Sequence, residues 1–205
     1  MTTSHADRLI AGIADRTAHL GVIGLGYVGL PLAVSMAKAG FRVTGFELSE
    51  EKVRTLMDGR SYIIDVAADD VREMVEAGRF VATSDMSGIA DVDTVNICVP
   101  TPLGKTRDPD ISYIQAAMAS IVPHVHPGML VILESTTYPG TTEEVIVPML
   151  DGDDFRVGEH FFAAFSPERV DPGNPTYQTH NIPKVVGGVT SSCTRVARTL
   201  YEQFL

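Results

Sequence analysis

The run His19-Leu20-Gly21-Val22-Ile23 leads directly into Gly24-Leu25-Gly26-Tyr27-Val28-Gly29, and no other stretch limits the fold so tightly. The first five residues are short and largely apolar, as a buried strand requires. The three glycines that follow have G-x-G-x-x-G spacing. Gly24 permits a tight turn, Gly26 lets a pyrophosphate approach the backbone, and Gly29 lets a helix lie close on the strand. Pro31 is tolerated because it falls in the first helical turn, where its missing N–H has no partner to lose. The free N–H groups and positive dipole end of such a helix favour a phosphate.

Spacing alone is a weak signal, because three glycines also fall this way in plain strand–turn–helix connections. Context strengthens it. Phe41 to Phe46 reads as a second strand after the helix, and Glu47 ends it. An acid about 20 residues past the glycines is where ribose hydroxyls are bound. Glu47 taken alone also reads as a solvated loop acid. Glu50 and Glu51 follow it closely, and no Arg or Lys is read as doing so. A 2′-phosphate would be repelled there, so NAD is expected in preference to NADP.

At 205 residues the chain is long enough for one sizeable α/β domain and marginal for two. With 44% hydrophobic residues and a mean hydropathy of +0.11, it can bury a core. The net charge of −10 argues against a nucleic-acid partner, which needs a basic face. Two cysteines, Cys98 and Cys193, do not make a disulfide framework, and a reducing cytoplasm is expected. No apolar run approaches the ~18 residues of a membrane span. Asp7, Arg8, Asp15 and Arg16 interrupt any signal-peptide pattern.

Residues 1–18 read as an extension, with Leu9, Ile10 and Ile13 at helical spacing: a short leading helix or a mobile segment. The domain proper is expected to run over 19–205. A helix over 29–39 carries the stripe Leu30, Ala33, Val34, Ala37, and Gly40 ends it. Ser49 is an N-cap candidate for a helix over 50–58, stopped by Gly59. A helix over 68–77, ended by Gly78, and a strand over 80–83 follow. The nearly continuous apolar run 93–99 suits a strand buried on both faces. Helices are expected at 110–122 and 141–149, and strands at 129–133, 160–165 and 185–189. A last helix, capped by Ser191 or Ser192, runs to Leu205. The alternation predicts an α/β fold: a Rossmann-like, doubly wound parallel sheet with helices on both faces.

In such a sheet the loops after the first, fourth and fifth strands converge. Here they are Gly24–Gly29, Pro100–Thr101–Pro102 and Glu134–Ser135–Thr136–Thr137. Their hydroxyls can donate to cofactor or substrate oxygens, or simply bond their own backbone. Tyr27 either stacks over the glycine turn or packs on the sheet edge. Lys105 and Arg107 are candidates for substrate phosphates, though basic residues in a long loop are usually solvated. His124, His126 and His180 show no metal-ligand spacing with Cys or acids, so no metal is expected.

Together these motifs resemble the N-terminal domain of the UDP-glucose/GDP-mannose dehydrogenase family. The resemblance rests on G-L-G-Y-V-G-L-P-L-A at 24–33, C-V-P-T-P-L at 98–103, E-S-T-T-Y-P-G-T-T at 134–142, S-P-E-R-V-D-P-G-N at 166–174 and N-I-P-K-V-V-G-G at 181–188. The wording looks most like the branch acting on UDP-N-acetylhexosamines. The UDP-glucose branch typically has N-P-E-F-L-x-E-G at the fourth motif, whereas Ser166, Arg169 and Pro172 depart from it here.

The resemblance implies NAD-dependent oxidation of a sugar C6 alcohol to a carboxylate, through two hydride transfers and a cysteine-linked thioester. It implies that Gly24, Gly26, Tyr27, Val28, Gly29, Glu47, Pro100, Thr101, Ser135 and Thr136 contact NAD. Thr136 also matches a threonine that orients a catalytic water. Glu168 matches the P-E glutamate, an acid/base or water-positioning group, or is a structural acid paired with Arg169. Glu134 is expected near the nicotinamide ribose, or as a cap for the helix over 141–149. The family's catalytic Lys and nucleophilic Cys lie downstream of these motifs, on a central helix that also builds a homo-oligomer, and beyond it. The chain stops before them. Neither Cys98 nor Cys193 sits in the nucleophile's setting.

Two classes of function stay open. One is the cofactor half of a UDP-sugar oxidoreductase, with a UDP-glucose-type substrate as the variant. The other is a non-catalytic NAD-binding fragment or module.

Overall fold

The computed structural model describes residues 3–102, 109–167 and 183–205. Its frame is a seven-stranded sheet in the order β3-β2-β1-β4-β5-β6-β7. The strands are β1 His19–Ile23, β2 Arg42–Phe46, β3 Phe80–Thr83, β4 Thr94–Ile97, β5 Leu130–Leu133, β6 Phe162–Phe165 and β7 Gly187–Gly188. The first six are parallel. The central strands β1, β4 and β5 are buried on both faces, which explains their near-continuous apolar runs, while β2 and the edge strand β3 expose Arg42 and Val81. β7 departs from the expected parallel arrangement: two residues long, it pairs antiparallel with β6.

The helices are α1 His5–Ala14, α2 Gly29–Lys38, α3 Glu50–Met57, α4 Ala68–Glu76, α5 Ser112–Ile121, α6 Val147–Leu150 and α7 Ser191–Tyr201. One face of the sheet packs against α1, α2, α4 and α7, and the other against α5 and α6. The leading segment is a helix. Ser4 caps it, and Ala6, Leu9 and Ile13 are buried in the same cluster as β1 and α7.

Three local expectations need correction. The helix expected over 141–149 opens as a π turn, Thr142–Ile146, before α6. Pro148 has no N–H for the carbonyl four residues back and its ring crowds that carbonyl, and the wider turn relieves both. The cap of α7 is Thr190, whose Oγ1 accepts from the Cys193 N–H, not Ser191 or Ser192. The helix expected over 110–122 begins at Ser112 and passes at Val122 into a 3-10 turn containing Pro123.

Register decides what the sheet presents at its carboxyl edge. Phe46, Ile23, Ile97, Leu133 and Phe165 form one row across β2, β1, β4, β5 and β6. The ladder runs one residue further, through Gly24 N–H to Phe46 O, Cys98 N–H to Ile23 O, Glu134 N–H to Ile97 O and Ser166 N–H to Leu133 O. The row Glu47, Gly24, Cys98, Glu134, Ser166 is therefore the last rung of the sheet and the floor of what lies above it.

Candidate cofactor site at the carboxyl edge

The glycine turn is shaped by backbone crowding. Gly24 has φ +88°, and a Cβ there would come within 2.6 Å of the Cys98 carbonyl oxygen. A Cβ on Gly29 would lie 1.9 Å from the Gly24 oxygen, so the start of α2 can sit on the turn only because both residues are glycine. Gly26 is different. A Cβ built on it meets nothing within 4 Å. No side chain caps α2, so the positive end of its dipole is not offset by a capping oxygen, although the Leu30 N–H donates to the Gly26 carbonyl and Pro31 has none to give. Open space over Gly26 beside an uncapped helix start fits a pyrophosphate. Tyr27 is exposed, as an outer wall of the turn and not a packing residue.

On the β2 side, Glu47 turns its carboxylate towards the turn. Oε2 accepts from the Leu25 N–H at 3.3 Å, and Oε1 from the Ser49 N–H at 3.1 Å. The first turn of α3 brings Lys52 Nζ to 3.5 Å from Oε2, so a cation does stand beside this acid, contrary to the expectation from sequence. Ser49, the expected cap of α3, is what folds that turn back. Tyr62 lies in a stretch with no motif to mark it. Its hydroxyl donates to the Leu25 carbonyl at 2.7 Å, and Lys52 Nζ lies 5.5 Å from its ring centre. Burial and the nearby Glu47 carboxylate hold the Tyr62 phenol well above its usual range. It braces the glycine turn as a neutral donor.

On the other side of β1, the loops after β4 and β5 are laced together. Thr101 Oγ1 donates to the Thr136 carbonyl at 2.5 Å, and Ser135 Oγ to the Val99 carbonyl at 2.7 Å. Both hydroxyls thus bond the neighbouring loop's backbone. The side chains of Pro100 and Thr136 stay exposed on the carboxyl side. A cleft of about 460 Å³ opens beside them, lined by Thr137, Tyr138, Gly140, Phe165 and Gly188 among others. Glu168, Arg169, Lys105 and Arg107 lie outside the described residues.

Glu134 departs most from expectation. It neither faces the open edge nor caps the following turn. Its parity in the last rung turns it under the sheet towards α7, where it is fully buried. Oε2 accepts from Lys184 Nζ at 2.6 Å; Oε1 accepts from Asn96 Nδ2 at 3.0 Å and from the Tyr201 hydroxyl. Desolvation pushes the Glu134 carboxyl up, against the opposing pull of Lys184 and the two other donors. Burial and the Glu134 charge raise the Tyr201 phenol. Asn96 and Tyr201 carried no sequence signal, because an Asn inside an apolar run and a Tyr on an amphipathic helix read as ordinary packing.

Cys98 and Cys193 are both buried. Among the described residues, no group of three or more His, Cys, Asp or Glu converges as a metal site, and no helix is long and apolar enough to cross a membrane.

A six-stranded parallel sheet in 3-2-1-4-5-6 order, with its glycine turn at the switch point between β1 and β4 and an acid at the end of β2, defines a dinucleotide-binding domain. The family model described as "UDP-glucose/GDP-mannose dehydrogenase family, NAD binding domain" matches residues 18–205, and the chain belongs to that family as its NAD-binding domain. It is 35% identical over 187 residues to a UDP-N-acetyl-D-glucosamine 6-dehydrogenase of Pseudomonas aeruginosa, covering 91% of this chain and 43% of the relative. It is 33% identical to a UDP-N-acetyl-D-mannosamine dehydrogenase of Pyrococcus horikoshii, covering 91% and 44%. The crystal structure of an NDP-N-acetyl-D-galactosaminuronic acid dehydrogenase from Methanosarcina mazei superposes with a TM-score of 0.85 at 32% identity, over 100% of this chain and 45% of that one. The chain thus spans less than half the length of these relatives.

Proposed function

We propose that this domain serves the NAD-dependent oxidation of the C6 alcohol of a UDP-N-acetylhexosamine to a carboxylate, as the cofactor half of that enzyme. The observation that carries the reading is the open space over Gly26, bounded by the uncapped start of α2 and the Glu47 carboxylate. Gly24, Gly26, Tyr27, Val28 and Gly29 would hold the pyrophosphate and Glu47 the adenosine ribose. Pro100, Thr101, Ser135 and Thr136 would flank the nicotinamide half, because they lie across β1 from Glu47. NAD supplies a hydride acceptor. The chain's own contribution is to orient it, with Thr136 placing a water and Glu168 handling the proton of the alcohol. The choice of an N-acetylhexosamine rests on the printed activities of the relatives and on the wording of the motifs. We also propose that the reaction proceeds in the cytoplasm and within a homo-oligomer.

The test is NADH absorbance during incubation with NAD and UDP-N-acetylglucosamine, UDP-N-acetylmannosamine or UDP-glucose. The longest in-frame product of the gene is expected to release two NADH per sugar from an N-acetylhexosamine substrate. Preference for UDP-glucose would contradict the substrate assignment. Residues 1–205 alone are expected to bind NAD without sustained NADH release, because neither buried cysteine can present a thiolate to the sugar. Sustained release by that chain would overturn the division of labour.

A further inference from the structure

A carboxylate, an ammonium, a phenol and an amide meet under the last rung of the sheet, and none is called on by the function above. Glu134 is 0% exposed and the Lys184 side chain 8%. The four residues come from four separate segments: β4 (Asn96), the residue after β5 (Glu134), the segment entering β7 (Lys184) and the last turn of α7 (Tyr201). Apolar side chains of similar volume would fill such a space at least as stably. What a hydrogen-bonded ion pair adds is direction: each donor fixes one carboxylate oxygen, and the carboxylate fixes its own backbone. That backbone continues into Ser135 and Thr136, which are stitched to the end of β4 by Ser135 Oγ and Thr101 Oγ1.

We propose that Glu134, held by Lys184, Asn96 and Tyr201, is a positioning residue for the nicotinamide half of the dinucleotide. It fixes the Ser135–Thr136 turn from below, and Lys184 ties the segment entering β7 to the same turn. The inference rests on the assignment of the Thr136 side of β1 to the nicotinamide. The glycine turn and Glu47, which serve the adenosine and pyrophosphate half, are held by other partners: Glu47 accepts from the Leu25 and Ser49 N–H groups beside Lys52, the Gly24 N–H donates to the Phe46 carbonyl, and the Tyr62 hydroxyl donates to the Leu25 carbonyl. A defect in the tetrad should therefore be felt at one end of the ligand only.

The experiment compares NAD with ADP-ribose, which keeps the adenosine, pyrophosphate and second ribose but lacks nicotinamide. Both are titrated by calorimetry into residues 1–205. The chain has no tryptophan, so direct nicotinamide fluorescence of bound NADH gives a second readout free of energy transfer from that residue. The wild type is expected to hold NAD more tightly than ADP-ribose. Tyr201→Phe removes one hydroxyl and keeps the ring against Phe204, whose centre is 5.6 Å away. Tyr201→Phe and Lys184→Met are expected to weaken NAD binding roughly tenfold, to leave ADP-ribose affinity unchanged and to alter the NADH emission. Lys184→Arg is expected to restore most of the loss. Should Lys184→Met not fold, Tyr201→Phe carries the comparison alone. Equal losses for both ligands, no loss for either, or a wild type that does not distinguish them would each overturn the proposal. A wild type that binds neither ligand would instead refute the cofactor assignment itself.

Discussion

Gly26 and Gly29 stand three residues apart in one turn, and their missing side chains serve different ends. The space beside Gly29 is filled by the Gly24 carbonyl at 1.9 Å, so that glycine is required by the protein's own packing. The space beside Gly26 is open to 4 Å, so the protein's own packing does not call for a glycine there, and on the proposed function the pyrophosphate takes that space. Gly29→Ala should cost about 1–3 kcal/mol of stability, as overpacking does, measured by urea denaturation. Gly26→Val should leave stability within about 0.5 kcal/mol and abolish NAD binding. Unchanged NAD affinity in Gly26→Val would mean that the phosphates sit elsewhere. Spacing alone assigns both glycines a role, and the geometry around each Cβ position is what separates the glycine that packing requires from the one that packing leaves open. Lys52 marks the opposite limit. It stands five residues from Glu47 in sequence, and the first turn of α3 brings it beside the carboxylate.

At the scale of elements, periodicity and breakers located strands and helices well, because both faces of a parallel sheet are apolar and the stops are chemically abrupt. Gly40, Gly59 and Gly78 all have positive φ just past helix ends, where an L side chain would be strained. What periodicity missed is set by single groups. Pro148 turns an expected helix into a π turn, and the cap of α7 falls on Thr190, one or two residues before the expected serines. Thr190→Ala should lower stability by about 1 kcal/mol through the lost cap, measured by the same denaturation, with NAD affinity unchanged. No loss of stability would mean that α7 is held by its buried face alone, through Cys193, Val196, Ala197 and Leu200. Glu134 shows why a site residue can be found and its role missed. It stands at the end of an apolar run, as loop acids do, but the ladder extends one rung past β5 and turns it inward. Nothing in the local sequence tells an acid in the loop from an acid in the last rung.

Across the whole molecule, the carboxyl edge of one sheet gathers every described candidate site residue, although they come from positions 24 to 136. This gathering was legible beforehand, since strand order and the switch point follow from the alternation of strands and helices. The antiparallel β7 and the buried ion pair were not, because both depend on where the segment before α7 is pinned. The net charge of −10 is no obstacle to an anionic dinucleotide when an uncapped helix start faces it. On the proposed function, this edge binds NAD through the glycine turn, with Glu47 on the adenosine ribose. A 2′-phosphate would be set against the Glu47 carboxylate, and Lys52, already paired with that carboxylate at 3.5 Å, offsets only part of the repulsion. Calorimetric titration of residues 1–205 with NAD and with NADP tests this directly. NAD is expected to bind at least about tenfold more tightly, ~1.4 kcal/mol, and Glu47→Gln to narrow the gap. Equal affinities for the two cofactors in the wild type would contradict it.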